Sequence, residues 1–139
     1  MPNIRYQRLA NERLPLANKF YKSQRSPMRV GRSEQVWVAQ QAEIIAACCL
    51  KPVADGHWLS ALLVAREQRQ QGVASQLLNT LRGHSQGPIW LFCAPQLLGF
   101  YQRLGFAPCP DLPGELNERL QRYQRKQPLL ALVAAQPGG

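Results

Sequence analysis

The sequence has no apolar run approaching the ~18–20 residues needed to cross a bilayer. Its opening, MPNIRYQRLANER, is polar and has no signal-like apolar centre. The expectation is a soluble cytoplasmic protein with no membrane partner. Cysteine pairs of the C-x-x-C type are missing: Cys48, Cys49, Cys93 and Cys109 stand apart or directly adjacent. The only two histidines, His57 and His84, lie at no zinc-like spacing from them. No metal is therefore expected, and the four thiols read as reduced, buried and structural. Acidic residues are few, 8 against 17 Lys and Arg, which leaves a net charge of +9. Such a charge suits nucleic acid, an acidic partner or a polyanionic cofactor. Yet the basic residues are scattered over 5–32, 66–82 and 103–126, with no dense run. A basic helix, a zinc pattern and RNA-binding aromatic strands are all missing, so nucleic acid is not the expected partner. Repeats and linkers are absent too. The 139 residues read as one domain over 1–135 with a flexible tail at 136–139.

The rest is an alternation of strand and helix signals. Ile4 and Tyr6 alternate with Arg5 and Gln7 as a short strand. Pro15 suits a first helical turn, and Leu16, Ala17, Phe20 and Tyr21 follow as an apolar stripe ending near 22–24. Residues 25–32 are basic and broken, a loop or a short second helix. Two β-rich runs, 36–38 and 44–50, flank a hairpin turn at 40–43, and 51–56 reads as a second turn. A strand over 57–64 leads through a polar loop to a helix over 72–82, closed by Arg82-Gly83. Ile89-Trp90-Leu91-Phe92-Cys93 is almost wholly apolar, as a central strand would be. Pro95 opens a helix that Gly105 stops; a further helix covers 114–126, and a last buried strand 129–135. Antiparallel hairpins come first and β-α-β units later, which is a mixed α/β domain.

Everything is organised around LSALLVAREQRQQGVASQLL, residues 59–78. Strand passes to tight loop, and loop to helix at Gly72. A helix start leaves backbone N–H groups unpaired and gathers partial positive charge, so it attracts anions. Gly72 lets a bulky anion approach the backbone, and Ala74 adds only a methyl group. A phosphate-bearing cofactor is the expected ligand.

Two patterns together resemble the GCN5-related N-acetyltransferase (GNAT) superfamily. Val64 to Ala74 resembles its acetyl-CoA loop, [Q/R]-x-x-G-x-[G/A], with Arg69, Gly72 and Ala74 at the defining positions. Phe100-Tyr101-Gln102-Arg103-Leu104-Gly105-Phe106 resembles its F/L-Y-x-x-x-G-F. The resemblance implies a twisted mixed sheet of six to seven strands with flanking helices, its fourth and fifth strands splayed. It implies acetyl-CoA as co-substrate, with the pantetheine arm along Leu62, Leu63 and Val64. The pyrophosphate would lie on the N–H groups of Gln70, Gln71, Gly72, Val73 and Ala74, in a loop shaped by Arg69. The Leu62 N–H would meet the thioester oxygen, and Tyr101 the departing sulfur.

Two positions depart from the family pattern. Ala94 stands where many members carry Asn, and Trp58 where some carry a glutamate base. Asp55, His57, Glu43 and Glu67 are the remaining base candidates; His57 has the best intrinsic pKa but faces away from Leu62 if the strand alternates strictly. A base acting through water, or an amine arriving partly neutral, is the other reading. The acceptor side would take in Tyr21, Arg25, Arg29, Arg32 and residues 108–126, with Trp37 and Trp58 as pocket or core. The arginines suit an acceptor bearing a carboxylate or phosphate. The expected activity is N-acetylation of a primary amine, on a small molecule or a protein, by a monomer or homodimer. A non-catalytic acyl-CoA sensor and a basic nucleic-acid module are the alternatives.

Overall fold

The computed structural model describes residues 3–134. Its elements are β1 (Arg5–Arg8), α1 (Leu14–Ser23), β2 (Gln35–Gln40), β3 (Ile44–Val53), β4 (Gly56–Val64), α2 (Val73–His84), β5 (Ile89–Cys93), α3 (Leu98–Arg103), β6 (Ala107–Pro108), α4 (Gly114–Gln124) and β7 (Leu130–Ala134). Short 3-10 turns sit at Asn11–Arg13, Arg66–Gln68 and Pro95–Leu97. The fold is mixed α/β, with a seven-stranded sheet in the order β1-β2-β3-β4-β5-β7-β6. The β1–β2, β2–β3, β5–β7 and β6–β7 pairings are antiparallel, and β4 and β5 run parallel. Among the described residues no helix is long and apolar enough to cross a membrane. The expected tail at 136–139 lies outside the described residues.

The chain divides into two compact units. Of the described residues, the first holds those through Lys51 and then Leu59–His84; the second holds Pro52–Trp58 and those from Ser85 to Ala134. In the first, β2 and β3 pair from Gln35↔Leu50 to Gln40↔Ile44, with a register shift at Ala39/Gln40. Val36 to Ala39 and Ile45 to Leu50 are all buried, so both faces of this hairpin are covered. Its unbroken apolar pattern follows from that. α2 buries Val73, Leu77, Leu78 and Leu81 and packs on β1 and β2. Each fully buried leucine contributes roughly 1.5–3 kcal/mol. α1 buries Ala17, Phe20 and Tyr21, while Leu16, on the same expected stripe, is exposed.

In the second unit β7 lies between β5 and β6, with Trp90↔Val133 and Ala107↔Val133 in register. Its core is Val53, Trp58, Trp90 and Leu116, flanked by Phe92, Cys109, Leu112 and Val133. The backbone is tightest at Gly56, where a Cβ would lie 2.0 Å from the Pro88 carbonyl oxygen.

Three local expectations are revised. The turn at 51–56 shrinks to Ala54 and Asp55, because Val53 is buried against Trp58 and draws β3 on past Pro52. α2 does not stop at Gly83 but runs to His84. The His84 ring packs on Trp37 at 5.5 Å, and its Nδ1 lies 2.9 Å from the Thr80 carbonyl oxygen, which together hold the last turn. Residues 26–31 form no second helix. Side chains take their backbone N–H groups instead: Asn18 accepts from Val30 at 2.9 Å, Ser26 from Met28 at 3.1 Å, and the Glu34 carboxylate from Gly31.

Candidate active site

The loop after β4 is built from its ends inward. The Ala65 N–H donates to Ile45 O at 2.7 Å, which ties the strand exit to β3. The Arg66 N–H donates to Gln24 Oε1 at 3.2 Å, tying it to the end of α1. The Arg69 side chain folds back, its Nε donating to Val64 O at 3.0 Å, and Gln71 Nε2 donates to Glu67 O at 3.3 Å. Both long side chains thus shape the loop from behind. Gln70 (φ 64) and Gly72 (φ 78) are left-handed, and α2 starts at the next residue. Left-handed residues among ordinary ones turn successive N–H groups into one concavity, the form of an anion nest. No acidic residue stands in the first turn of α2. A Cβ built on Gly72 would meet nothing within 4 Å. Gly72 is therefore demanded by its backbone angle and by the space in front of it, not by protein packing. These features fit a pyrophosphate: N–H donors, no carboxylate in the first turn of α2, and room at the glycine.

β4 carries Leu62, Leu63 and Val64, all half-buried, into this loop. Just before them Ala61 has φ 57, which breaks strand alternation. The parity argument that turned His57 away from Leu62 therefore does not hold across Ala61. The Ala61 carbonyl accepts the Tyr21 hydroxyl at 2.7 Å. Tyr21, expected on the acceptor side, is fully buried. Burial first, and then the neighbouring Cys49, push its hydroxyl pKa far up. Arg25, Arg29 and Arg32 are exposed on the coil that follows α1, with Arg25 itself left-handed (φ 58).

The second unit holds Tyr101 and His57. Tyr101 is 8% exposed on α3, clasped edge-on by Phe100 at 5.0 Å and Phe106 at 5.8 Å. Its carbonyl accepts the N–H groups of Leu104 and Phe106, with Gly105 at φ 93 between them. The motif's glycine thus makes the turn that brings Phe106 onto the tyrosine. Ala94 opens this segment with no side-chain cap. The His57 N–H donates to Pro88 O at 2.9 Å, while its Nδ1 is buried without a partner. Trp58 lies in the core, with the Arg119 guanidinium 4.5 Å from its ring centroid. Among the described residues no group of three His, Cys, Asp or Glu is placed to hold a metal ion.

Sequence reasoning missed Ala61. A glycine or asparagine would have marked a left-handed position, and alanine carries no such signal.

A family model described as an acetyltransferase (GNAT) domain matches residues 32–108, more than half of the chain. No curated protein matches. Among solved structures, the chain is similar to Tetrahymena GCN5 at 15% identity and a TM-score of 0.70, covering 95% of this chain and 96% of that one. It is similar to the Escherichia coli ribosomal-protein-S18-alanine N-acetyltransferase at 15% identity and a TM-score of 0.66, covering 99% and 96%. It also matches N-acetylglutamate synthase from Neisseria gonorrhoeae, solved with coenzyme A and N-acetyl-glutamate. That match has 15% identity and a TM-score of 0.67, covering 98% of this chain and 36% of that one.

Proposed function

The chain belongs to the GNAT acetyltransferase family, and on that premise we propose that it moves the acetyl group of acetyl-CoA onto a primary amine. The observation that carries the reading is the loop from Val64 to Ala74, with its left-handed Gln70 and Gly72 and the open space before Gly72. Coenzyme A in a similar fold, the N-acetylglutamate synthase, supports the same cofactor. Acetyl-CoA supplies an activated acyl carbon; the protein supplies the rest. The N–H groups of Gln70 to Ala74 hold the pyrophosphate, and Leu62 to Val64 align the pantetheine arm.

Chemistry then sets three demands. The attacking amine must be neutral; at pKa ~10.4 only about one in 2,500 is so at pH 7, a cost of about 4.6 kcal/mol. His57, or a water carrying the proton away, meets that demand. The oxyanion needs a donor, and the Leu62 N–H fills the role. The leaving thiolate needs a proton or a hydrogen bond, which Tyr101 gives. Full transfer from a tyrosine (pKa ~10) to a thiolate (~8.5) is uphill by about 2 kcal/mol, within reach of an enclosed site. Arg25, Arg29 and Arg32 face the acceptor and favour one bearing a carboxylate or phosphate.

The test is acetylation of an amine panel with acetyl-CoA, read by release of free thiol, beside thermal stabilisation by coenzyme A. Stabilisation with thiol release on at least one amine is the expected result. Stabilisation without turnover on any amine would favour an acyl-CoA sensor instead. No stabilisation would sink the cofactor assignment.

A further inference from the structure

One fully buried polar side chain in the first unit has no part in the chemistry above. Tyr21 is 0% exposed, yet its hydroxyl is engaged on both sides. It donates to Ala61 O at 2.7 Å and lies 3.7 Å from Cys49 Sγ. A tyrosine hydroxyl carries one proton and keeps acceptor lone pairs. With that proton committed to Ala61, the oxygen keeps its lone pairs beside the Cys49 sulfur, whose thiol also has the Glu34 carboxylate as an acceptor. Cys49 is itself fully buried, and burial pushes its pKa up to about 12, so the thiol keeps its proton.

The Ala61 carbonyl is not an arbitrary target. Ala61 has φ 57 in the middle of β4, a conformation costly for any residue with a Cβ. The peptide joining Ala61 to Leu62 is trans and planar, so its C=O and N–H point in opposite directions. Tyr21 therefore grips the oxygen end of the peptide whose nitrogen end is the Leu62 N–H. A hydrogen bond accepted at the carbonyl also polarises the amide and strengthens its N–H as a donor.

We infer that Tyr21 is a positioning residue for the oxyanion donor: it fixes the Ala61–Leu62 peptide in its left-handed turn and polarises the Leu62 N–H. This rests on the acetyl-transfer reading, in which that N–H meets the thioester oxygen. The contact runs from Tyr21 O–H to Ala61 C=O, and no proton changes owner along it. Tyr21 touches no substrate; it acts through the backbone.

The test is Tyr21→Phe, which keeps the ring and removes the hydroxyl. Three quantities are read: the Kd for coenzyme A, the split of kcat against KM, and the infrared C=O band of bound acetyl-CoA carrying 13C in its acetyl group. In the wild type the bound band is expected below its free-solution position, as a hydrogen-bonded carbonyl's is. In Tyr21→Phe it is expected to move back toward the free position. Loss of a whole oxyanion donor costs about 100–1,000-fold in kcat, so loss of its orientation is expected to cost about 10-fold. The Kd for coenzyme A and the KM for acetyl-CoA are expected to hold within about twofold, since the pyrophosphate loop is untouched. An unmoved band with unchanged kcat would overturn the inference, as would a loss of kcat matched by an equal loss of coenzyme A affinity. A wild type that binds acetyl-CoA with no band shift overturns the inference but leaves the pyrophosphate seat standing. A wild type that does not bind acetyl-CoA overturns the acetyl-transfer reading, and this inference with it. If Tyr21→Phe does not fold, 3-fluorotyrosine at position 21 gives a stronger donor of nearly the same shape. The band then moves further down, and an unmoved band overturns the inference.

Discussion

Gly72→Ala and Gly83→Ala make a matched pair of perturbations. Gly72 directly precedes α2 and Gly83 lies within it, and at each a new Cβ would meet nothing within 4 Å. Neither substitution creates a clash, so any effect comes from backbone conformation or from a ligand. Gly72 sits at φ 78. An alanine there costs about 1–2 kcal/mol for its left-handed angle, offset by some 0.4–1 kcal/mol from a stiffer unfolded chain. The net expectation is a loss of about 1 kcal/mol. Gly83 lies inside the helix (Val73–His84), where alanine is favoured over glycine by about 0.5–1 kcal/mol. It is the next-to-last residue, so the gain is expected near the lower figure. Ligand binding separates the two further. The methyl group of Gly72→Ala enters the space assigned to the pyrophosphate, and coenzyme A is expected to bind at least 10-fold more weakly, about 1.4 kcal/mol. Gly83→Ala is expected to leave that affinity unchanged. Urea unfolding gives the stabilities, and calorimetric titration with coenzyme A gives the affinities. Wild-type affinity in Gly72→Ala would show that the pyrophosphate lies elsewhere. A destabilised Gly83→Ala would show that the open-space argument is wrong for this helix.

Tyr101→Phe is expected to lower kcat about 100-fold, the low end for a lost proton donor, with the coenzyme A Kd unchanged; equal turnover would place the acid elsewhere. Stability is expected to fall in alkali. Burial raises the Cys49 thiol to about 12 and pushes the Cys48 thiol and the Tyr21 hydroxyl well above their ordinary values. Groups raised on folding stabilise fully below their unfolded pKa and lose that contribution as pH climbs toward the folded value. Unfolding free energies from urea titration are thus expected to hold to about pH 8.5 and then fall by about 1.4 kcal/mol per pH unit for each group involved, steepening above pH 10 as Tyr21 joins. A flat profile from pH 8 to 11 would refute the burial of these groups. All four cysteines are free, and only Cys109 is part-exposed. Ellman's reagent is expected to titrate one thiol rapidly in the native protein and four after denaturation; two fast thiols would contradict the packing of β3 or β5. Arg29→Ala is expected to raise KM for a carboxylate- or phosphate-bearing acceptor, and an unchanged KM would remove Arg29 from the acceptor side.

How much of this was legible beforehand depends on whether a feature's cause was local. Ile89–Cys93 announced a central strand because burial on both faces leaves no polar position in the alternation, and β5 does lie between β4 and β7. Gly72 and Gly105 stood out because a left-handed backbone selects glycine. The same letter misled at Gly83, where the ring of His84 on Trp37 extends the helix one residue beyond the expected stop. Pro52 misled likewise, since burial of Val53 outweighs a proline's preference for a turn. The deciding contact is distant in sequence at Gly83 and lies across the next turn at Pro52, and in neither case does residue type at the position carry a trace of it.

Ala61 is the extreme case. Nothing about alanine at that position signals a left-handed turn, and the group that stabilises it is the Tyr21 hydroxyl, 40 residues earlier. Tyr21 in turn reads, on its own helix, as one more aromatic on an apolar stripe. Each residue obeys its local pattern, so the exception appears only in their meeting. That meeting falls on the peptide directly before Leu62, whose N–H is the donor proposed above for the oxyanion. Departures from local rules persist where surrounding structure compensates for them, and they gather where function requires an unusual geometry. The left-handed Ala61 is compensated by the Tyr21 hydrogen bond, and Gln70 stands between the Arg69 and Gln71 side chains, both folded back onto the loop backbone. Both departures therefore have named partners, and removal of the partner rather than of the strained residue is the sharper probe of each.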